Sequence, residues 1–152
     1  MTSKATLASV PLLFLDFDGV LHPSLQGIKG YFTRAPLLSD ALDGLACDIV
    51  ISSSWRFHFP PDELPGYLMP LLRERVVGFT GPAVVGRHAR YMEIQSYVKR
   101  RAIVSWRALD DSFFEFPDNC PQLILCDGSI GIQEPQMVAL RKWLSEVLSV
   151  AC

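Results

Sequence analysis

The stretch Leu12-Leu13-Phe14-Leu15-Asp16-Phe17-Asp18-Gly19-Val20-Leu21-His22-Pro23 sends two carboxylates, two positions apart, from an apolar run into a glycine turn. Side chains at i and i+2 of an extended chain share a face, so Asp16 and Asp18 can converge on one pocket. Two anions this close repel, and they coexist where a cation lies beside them or where one takes up a proton. A hard metal ion with oxygen ligands meets the first condition, and a general acid meets the second. With a carboxylate nucleophile added, this is equipment for phosphoryl chemistry. Gly19 lets the backbone turn sharply or approach a ligand closely. A single Asp after a strand is commonly a turn or cap residue, but the pair in this run is hard to explain structurally.

The elements that must position these groups follow from periodicity. The apolar run between Pro11 and Gly19 reads as a buried parallel strand, and open α/β sheets place ligands at the carboxyl ends of such strands. Pro36 to Cys47 reads as a helix, with Leu37, Leu38, Ala41, Leu42 and Leu45 on one face. Asp48 to Ser52 reads as a second strand, running into Ser52-Ser53-Ser54-Trp55-Arg56. Asp62 to Arg75 reads as a helix interrupted at Pro65 and Pro70, and Val76 to Phe79 as a third strand. Arg90 to Arg101 follows as a helix with Ile94, Tyr97 and Val98 turned inward. Ile103 to Leu109 supplies a fourth strand ending at Asp110-Asp111, and Leu123 to Cys126 a fifth. The last helix, Pro135 to Val150, carries Met137, Leu140, Leu144 and Leu148 on one side. Pro23 to Thr33, with Gly27 and Gly30, reads as a loop or small hairpin beside the site. The alternation predicts an α/β fold, a mainly parallel five-stranded sheet with helices on both faces.

At 152 residues and 49% hydrophobic, the chain is sized for one domain, 1–152, with a substantial core. Fourteen basic against sixteen acidic residues give a net charge of −2, so charge does not by itself imply a nucleic-acid partner, and a local basic patch remains open. Cys47, Cys120, Cys126 and Cys152 show no C-x-x-C spacing and read as reduced thiols, with a Cys120–Cys126 disulfide left open. No His or Cys cluster suits zinc. The first ten residues lack a basic region followed by a long apolar run, and no apolar stretch approaches the ~20 residues of a membrane span. A soluble, cytoplasmic protein with no membrane partner is expected. His22 and His88 read as structural or surface residues, and Trp55 as a buried ring, with substrate contact by Trp55 or Arg56 the other possibility.

A strand followed by Asp-x-Asp-Gly resembles the first motif of the haloacid dehalogenase (HAD) superfamily. That resemblance implies that Asp16 is the nucleophile that becomes an aspartyl phosphate and that Asp18 is the acid and base. The second Asp favours phosphatase over dehalogenase. The superfamily also implies a Ser or Thr at the end of the second strand that holds phosphoryl oxygens, here Ser53 first and Ser52 second, although a serine in that place also caps the next helix. Arg90, opening a helix in Arg90-Tyr91-Met92-Glu93-Ile94, is the cation implied to screen the nucleophile from the phosphate, with Arg87 and Lys99 as alternatives. The family more often has Lys there, while an Arg can fork onto two phosphate oxygens. Asp110 and Asp111 are implied as metal ligands beside Asp16 and Asp18, Asp110 directly and Asp111 through water or by orientation. Magnesium suits such oxygen donors. Gly19, Ser52, Ser53 and Arg90 would then line the substrate. Receiver domains place their acidic pair early and the phosphorylated Asp later, the reverse of the order in this chain.

The resemblance predicts a three-layer, Rossmann-like HAD core. Gly19 to Pro36 and Trp55 to Arg87 are each accounted for by ordinary core elements and short loops, with no cap domain, which leaves an open site suited to a phosphate on something large, such as a nucleic-acid terminus or a phosphoprotein, unless an oligomer partner covers it. Ile-Ser-Ser-Ser-Trp-Arg, then Arg-x-x-Glu-Ile, then Leu-Asp-Asp resembles a capless branch that includes domains associated with RNA repair. The expected activity is a magnesium-dependent phosphomonoesterase. The alternative is a catalytically silent domain that binds a phosphorylated or protein partner. A phosphotransferase would use the same residues, and the sequence sets neither acceptor, substrate nor oligomeric state.

Overall fold

The computed structural model describes residues 10–25, 30–103 and 105–150. Its centre is a parallel sheet of β1 (Leu12–Leu15), β2 (Asp48–Ile51), β3 (Val76–Phe79), β4 (Trp106–Asp110) and β5 (Leu123–Leu125). The strand order is β3-β2-β1-β4-β5. The chain builds outward from β1 through β2 to β3, then returns to lay β4 on the other side of β1. That reversal opens a crevice at the carboxyl ends of β1 and β4. β1 is buried along its whole length, which is why it reads as an unbroken apolar run rather than an alternating one.

Alternation along the strands sorts the side chains into two layers. Leu13, Leu15, Ile49, Ile51 and Leu109 face a cluster shared with Leu38 and Leu42 of α1 (Ala35–Leu42), Leu72 of α2 (Pro70–Arg73) and Leu140 and Leu144 of α4 (Glu134–Val150). Leu12, Phe14, Val50, Trp106 and Ala108 face the other side, where Ile94 and Tyr97 of α3 (Ala89–Arg101) cover them. Phe14 meets Tyr97 and Trp106 edge-on at 5.6 and 5.5 Å between ring centres, a favoured aromatic geometry. Gly78 lets α3 lie close, since a Cβ there would sit 2.7 Å from the Tyr97 hydroxyl. The result is the expected three-layer α/β core. Among the described residues, the segments leading from β1 to α1 and from β2 to α3 hold no cap domain.

Three element limits differ from expectation. α1 ends at Leu42, short of Cys47, because Gly44 turns the chain with φ +75°. Asp62 to Arg75 is not one helix but a 3₁₀ helix over Pro61–Tyr67 followed by the short α2, since Pro65 and Pro70 lack the N–H that a continuous helix needs. β4 starts at Trp106 rather than Ile103. Ala102 takes a left-handed conformation at φ 51° and the Ile103 N–H returns to the Val98 carbonyl, so Ile103 finishes the helix. Gly27, Val104, Cys152 and the residues before Val10 lie outside the described residues.

Cys47, Cys120 and Cys126 are free thiols, so the Cys120–Cys126 bridge is not formed. Burial pushes the Cys47 thiol up to about 12, far from a reactive thiolate. Among the described residues, no helix is long and apolar enough to cross a membrane.

Candidate active site

The register of the sheet sets one row of side chains at its carboxyl edge. Leu15 is paired with Ile51 on one side and Leu109 on the other, and Ile51 with Phe79. One residue further on, the row therefore runs Thr80, Ser52, Asp16, Asp110. The ladder continues that far: Ser52 N–H donates to the Leu15 carbonyl, Asp16 N–H to Leu109, and Thr80 N–H to Ile51. All four are buried. By alternation they share the side of Phe14, Val50 and Ala108, which is the side covered by α3. Neighbouring strands lie about 4.8 Å apart, so Asp16 has a hydroxyl on one flank and a carboxylate on the other.

α3 brings the cation. Arg90 Nη1 lies 2.6 Å from Asp110 Oδ2 and 3.5 Å from Asp16 Oδ2, and its Nε lies 3.8 Å from Glu115 Oε2. Asp16 Oδ1 accepts from the Phe17 N–H at 2.8 Å, and Asp110 Oδ1 from the Ser112 N–H at 2.9 Å. Asp111 joins them: Asp16, Asp110 and Asp111 each offer an oxygen within 4.8 Å of the others. Room for Asp111 comes from two glycines, since a Cβ on either Gly19 or Gly128 would overlap its carboxylate. Gly19 also has φ +75°, a conformation that other residues adopt only with strain.

The charges do not balance. Burial, and then Asp110, push Asp16 well above the ordinary carboxylate range even though Arg90 pulls it down. Burial likewise raises Asp110 against the pull of Arg90. Burial alone would lower Arg90, but Asp16 and Asp110 together outweigh it and hold the guanidinium charged. Arg90 thus stands beside Asp16, Asp110 and Glu115, with Asp111 adjoining the first two, and the all-oxygen donor set of Asp16, Asp110 and Asp111 fits a hard divalent ion.

Asp18 stands apart from that cluster. Its Oδ1 meets His22 Nε2 at 2.7 Å and its Oδ2 accepts from Trp55 Nε1–H at 3.0 Å. His22 Nδ1 accepts from the Phe32 N–H at 3.2 Å, so the ring's proton sits on Nε2 and is donated to Asp18. The Asp18 side chain is nevertheless 44% exposed, against 6% for Asp16. Asp18 was expected among the metal ligands, and its two side-chain oxygens are turned instead to His22 and Trp55, outside the group of Asp16, Asp110 and Asp111.

The two serines and Gly19 are placed as follows. The Ser53 hydroxyl, the first candidate for the phosphoryl oxygens, accepts from the Trp55 N–H and caps the 3₁₀ helix Ser54–Phe57. The Ser52 hydroxyl lies in the row beside Asp16, buried and without a hydrogen-bond partner. Gly19, expected beside the substrate, also admits Asp111 through its lack of a side chain. Arg90 lies beside Asp16 and Asp110, whereas the alternatives Arg87 and Lys99 are exposed.

Several contributors carry no clear sequence signal. Thr80 is the second buried hydroxyl without a partner, and only the register shows that it neighbours Ser52. Arg56 does not reach toward a substrate. It donates to the carbonyls of Ser52, Ser53 and Gly81 and pairs with Glu93 of α3. Glu93 in turn accepts from the Val84 N–H, so this buried pair ties the ends of β2 and β3 to the helix that carries Arg90. His22 and Trp55 gain their meaning from Asp18. Gly128, in the loop after β5, had only its dipeptide Asp127-Gly128 as a turn signal.

No curated protein and no solved structure gave a match to the chain. A family model described as the HAD domain in Swiss Army Knife RNA repair proteins matches residues 12–137. That span opens on the first residue of β1 and runs into α4, taking in the whole polar row and every group around it. The chain belongs to this HAD family.

Proposed function

We propose that the protein is a magnesium-dependent phosphomonoesterase that works through an aspartyl phosphate on Asp16. The family is generally one of hydrolases and phosphatases. The observation that carries the reading is the setting of Asp16: a buried carboxylate between the Ser52 hydroxyl and Asp110, with Arg90 3.5 Å away. A structural carboxylate gains nothing from such a place, whereas a nucleophile meeting a phosphate needs donors and cations around the transferring group.

In this reading, an Asp16 carboxylate oxygen forms a bond to phosphorus while the bond to the leaving oxygen breaks, and Asp18 gives that oxygen its proton. Asp18 then takes a proton from water, whose oxygen bonds to phosphorus as the Asp16–phosphorus bond breaks, releasing phosphate. Ser52 donates to a phosphoryl oxygen, and Arg90 offsets the charge that Asp16 and the phosphate would otherwise share. Asp16, Asp110 and Asp111 would hold the magnesium ion, which when bound would supply positive charge to offset that of the transferring group. His22 and Trp55 hold Asp18 in place. The open approach at Asp18 and the family's description suit a phosphorylated nucleic-acid end as substrate.

A second reading, a silent domain that binds a phosphorylated partner, has one observation behind it: Arg90 already pairs with Asp110 at 2.6 Å. The raised Asp16 and Asp110 argue that this one cation is not enough. The test is magnesium-dependent phosphate release from an aryl phosphate and from a phosphorylated oligonucleotide, with Asp16→Asn alongside. Turnover lost by at least about a thousandfold in a folded Asp16→Asn protein is expected for a nucleophile. Equal turnover in both proteins contradicts the assignment.

A further inference from the structure

The carboxylate that protonates a leaving group must face it, so whatever carries the phosphate extends outward from Asp18. The surface there is aromatic. His22 and Trp55, which hold Asp18, touch Tyr31 at 4.9 and 5.3 Å between ring centres. Trp55 continues to Phe59 at 5.3 Å and Tyr67 at 6.0 Å. Trp55 itself is nearly covered, but Tyr31, Phe59 and Tyr67 are 38%, 40% and 42% exposed. The turn that presents Tyr31 is a strained one. Phe32 has φ 60°, rare for a bulky residue and typical of sites where the backbone is held for a purpose, and its N–H is bound by the same His22 that binds Asp18.

We infer that these half-exposed rings form a stacking site for the unpaired terminal base of a single-stranded nucleic acid whose end phosphate is delivered to Asp16. The inference rests on the phosphatase reading for the position of the phosphate. A nucleotide carries a phosphate and a flat π-face on one sugar, and sequence-tolerant binding of single strands commonly uses exposed aromatic rings. The rings run on from His22, beside Asp18, through Tyr31 and Trp55 to Phe59 and Tyr67, a longer aromatic face than a single phenyl ester needs. Beside Trp55, Arg56 is turned away to Phe57, Glu93 and main-chain carbonyls, so at this part of the wall the groups on offer are ring faces.

The test compares kcat/KM for phosphate release from a single-stranded oligonucleotide and from the same strand lacking its terminal base, in the wild-type protein, Tyr31→Leu and Tyr67→Leu. Leucine keeps the apolar bulk and removes the π-face. The wild type should prefer the base-bearing end by about tenfold or more, and each variant should lower that preference by roughly threefold or more, chiefly through KM. A wild-type ratio near one, or a ratio the variants do not change, overturns the stacking site while leaving the phosphatase. A phosphotyrosine peptide hydrolysed faster than the oligonucleotide overturns the choice of a base. Binding of a labelled oligonucleotide to Asp16→Asn separates the two claims: base-dependent, ring-dependent binding without turnover of any substrate by the wild type keeps the stacking site and removes the phosphatase.

Discussion

Ser52 and Ser53 are adjacent and chemically identical, and strand parity gives them different work. Ser52 shares the face of Val50 and stands beside Asp16, while Ser53 bends back to cap the next turn. Ser52→Ala should therefore lower kcat by about 10- to 100-fold, the range of a lost transition-state donor, and leave the urea midpoint unchanged or slightly raised, because it removes a buried hydroxyl with no partner. Ser53→Ala should do the reverse, destabilising by about 1 kcal/mol as a lost cap with a small effect on turnover. Asp16, Asp110 and Arg90 were legible in the sequence because each ends or opens an element whose period is plain. The choice between the two serines was not, because it turns on where β2 stops, and a one-residue change of parity exchanges the faces. His22 was also hidden, since its bond to Asp18 is made across a loop where spacing carries no face.

α3 is the element that makes the site, because it carries both Arg90 and Glu93 about one turn apart. The Arg56–Glu93 pair is buried on both sides and fixes that helix against the ends of β2 and β3. Removing one member leaves an uncompensated buried charge, so Glu93→Leu should cost about 3–5 kcal/mol and reduce turnover by letting Arg90 shift. In a double-mutant cycle read by urea unfolding, Arg56→Met with Glu93→Leu should be less destabilised than the two single variants added together; simple additivity would contradict the coupling. The sequence places Arg56 and Glu93 on separate elements, and nothing in their local patterns pairs them. The helix itself was plain from Ile94 and Tyr97, and only its junction with β4 was misplaced, by the left-handed Ala102.

At the scale of the molecule, β/α alternation makes a parallel sheet legible, and the switch of direction at β1 explains why four buried polar positions from distant parts of the chain share one edge. The same arrangement concentrates negative charge, and stability should report it. Asp16 and Asp110 are raised in the folded protein, so over the window above the ordinary value of 3.8 the folded state holds more protons than the unfolded state. By linkage, that makes stability fall as pH rises through their folded values. Without metal, the melting temperature should therefore decline as pH rises above the ordinary carboxylate range, and Asp16→Asn should flatten the decline. Magnesium, which competes with those protons, should raise the midpoint more at about pH 8 than at about pH 5. A magnesium effect that is the same at both pH values would contradict a site built on these carboxylates. The most direct test of the central claim is to trap the intermediate: the protein is turning over a phosphorylated oligonucleotide when it is quenched and treated with borohydride, which reduces an aspartyl phosphate to homoserine, and its peptides are then mapped by mass. Homoserine at position 16, absent without substrate, is the predicted result, and sustained turnover with an unmodified Asp16 would contradict the account.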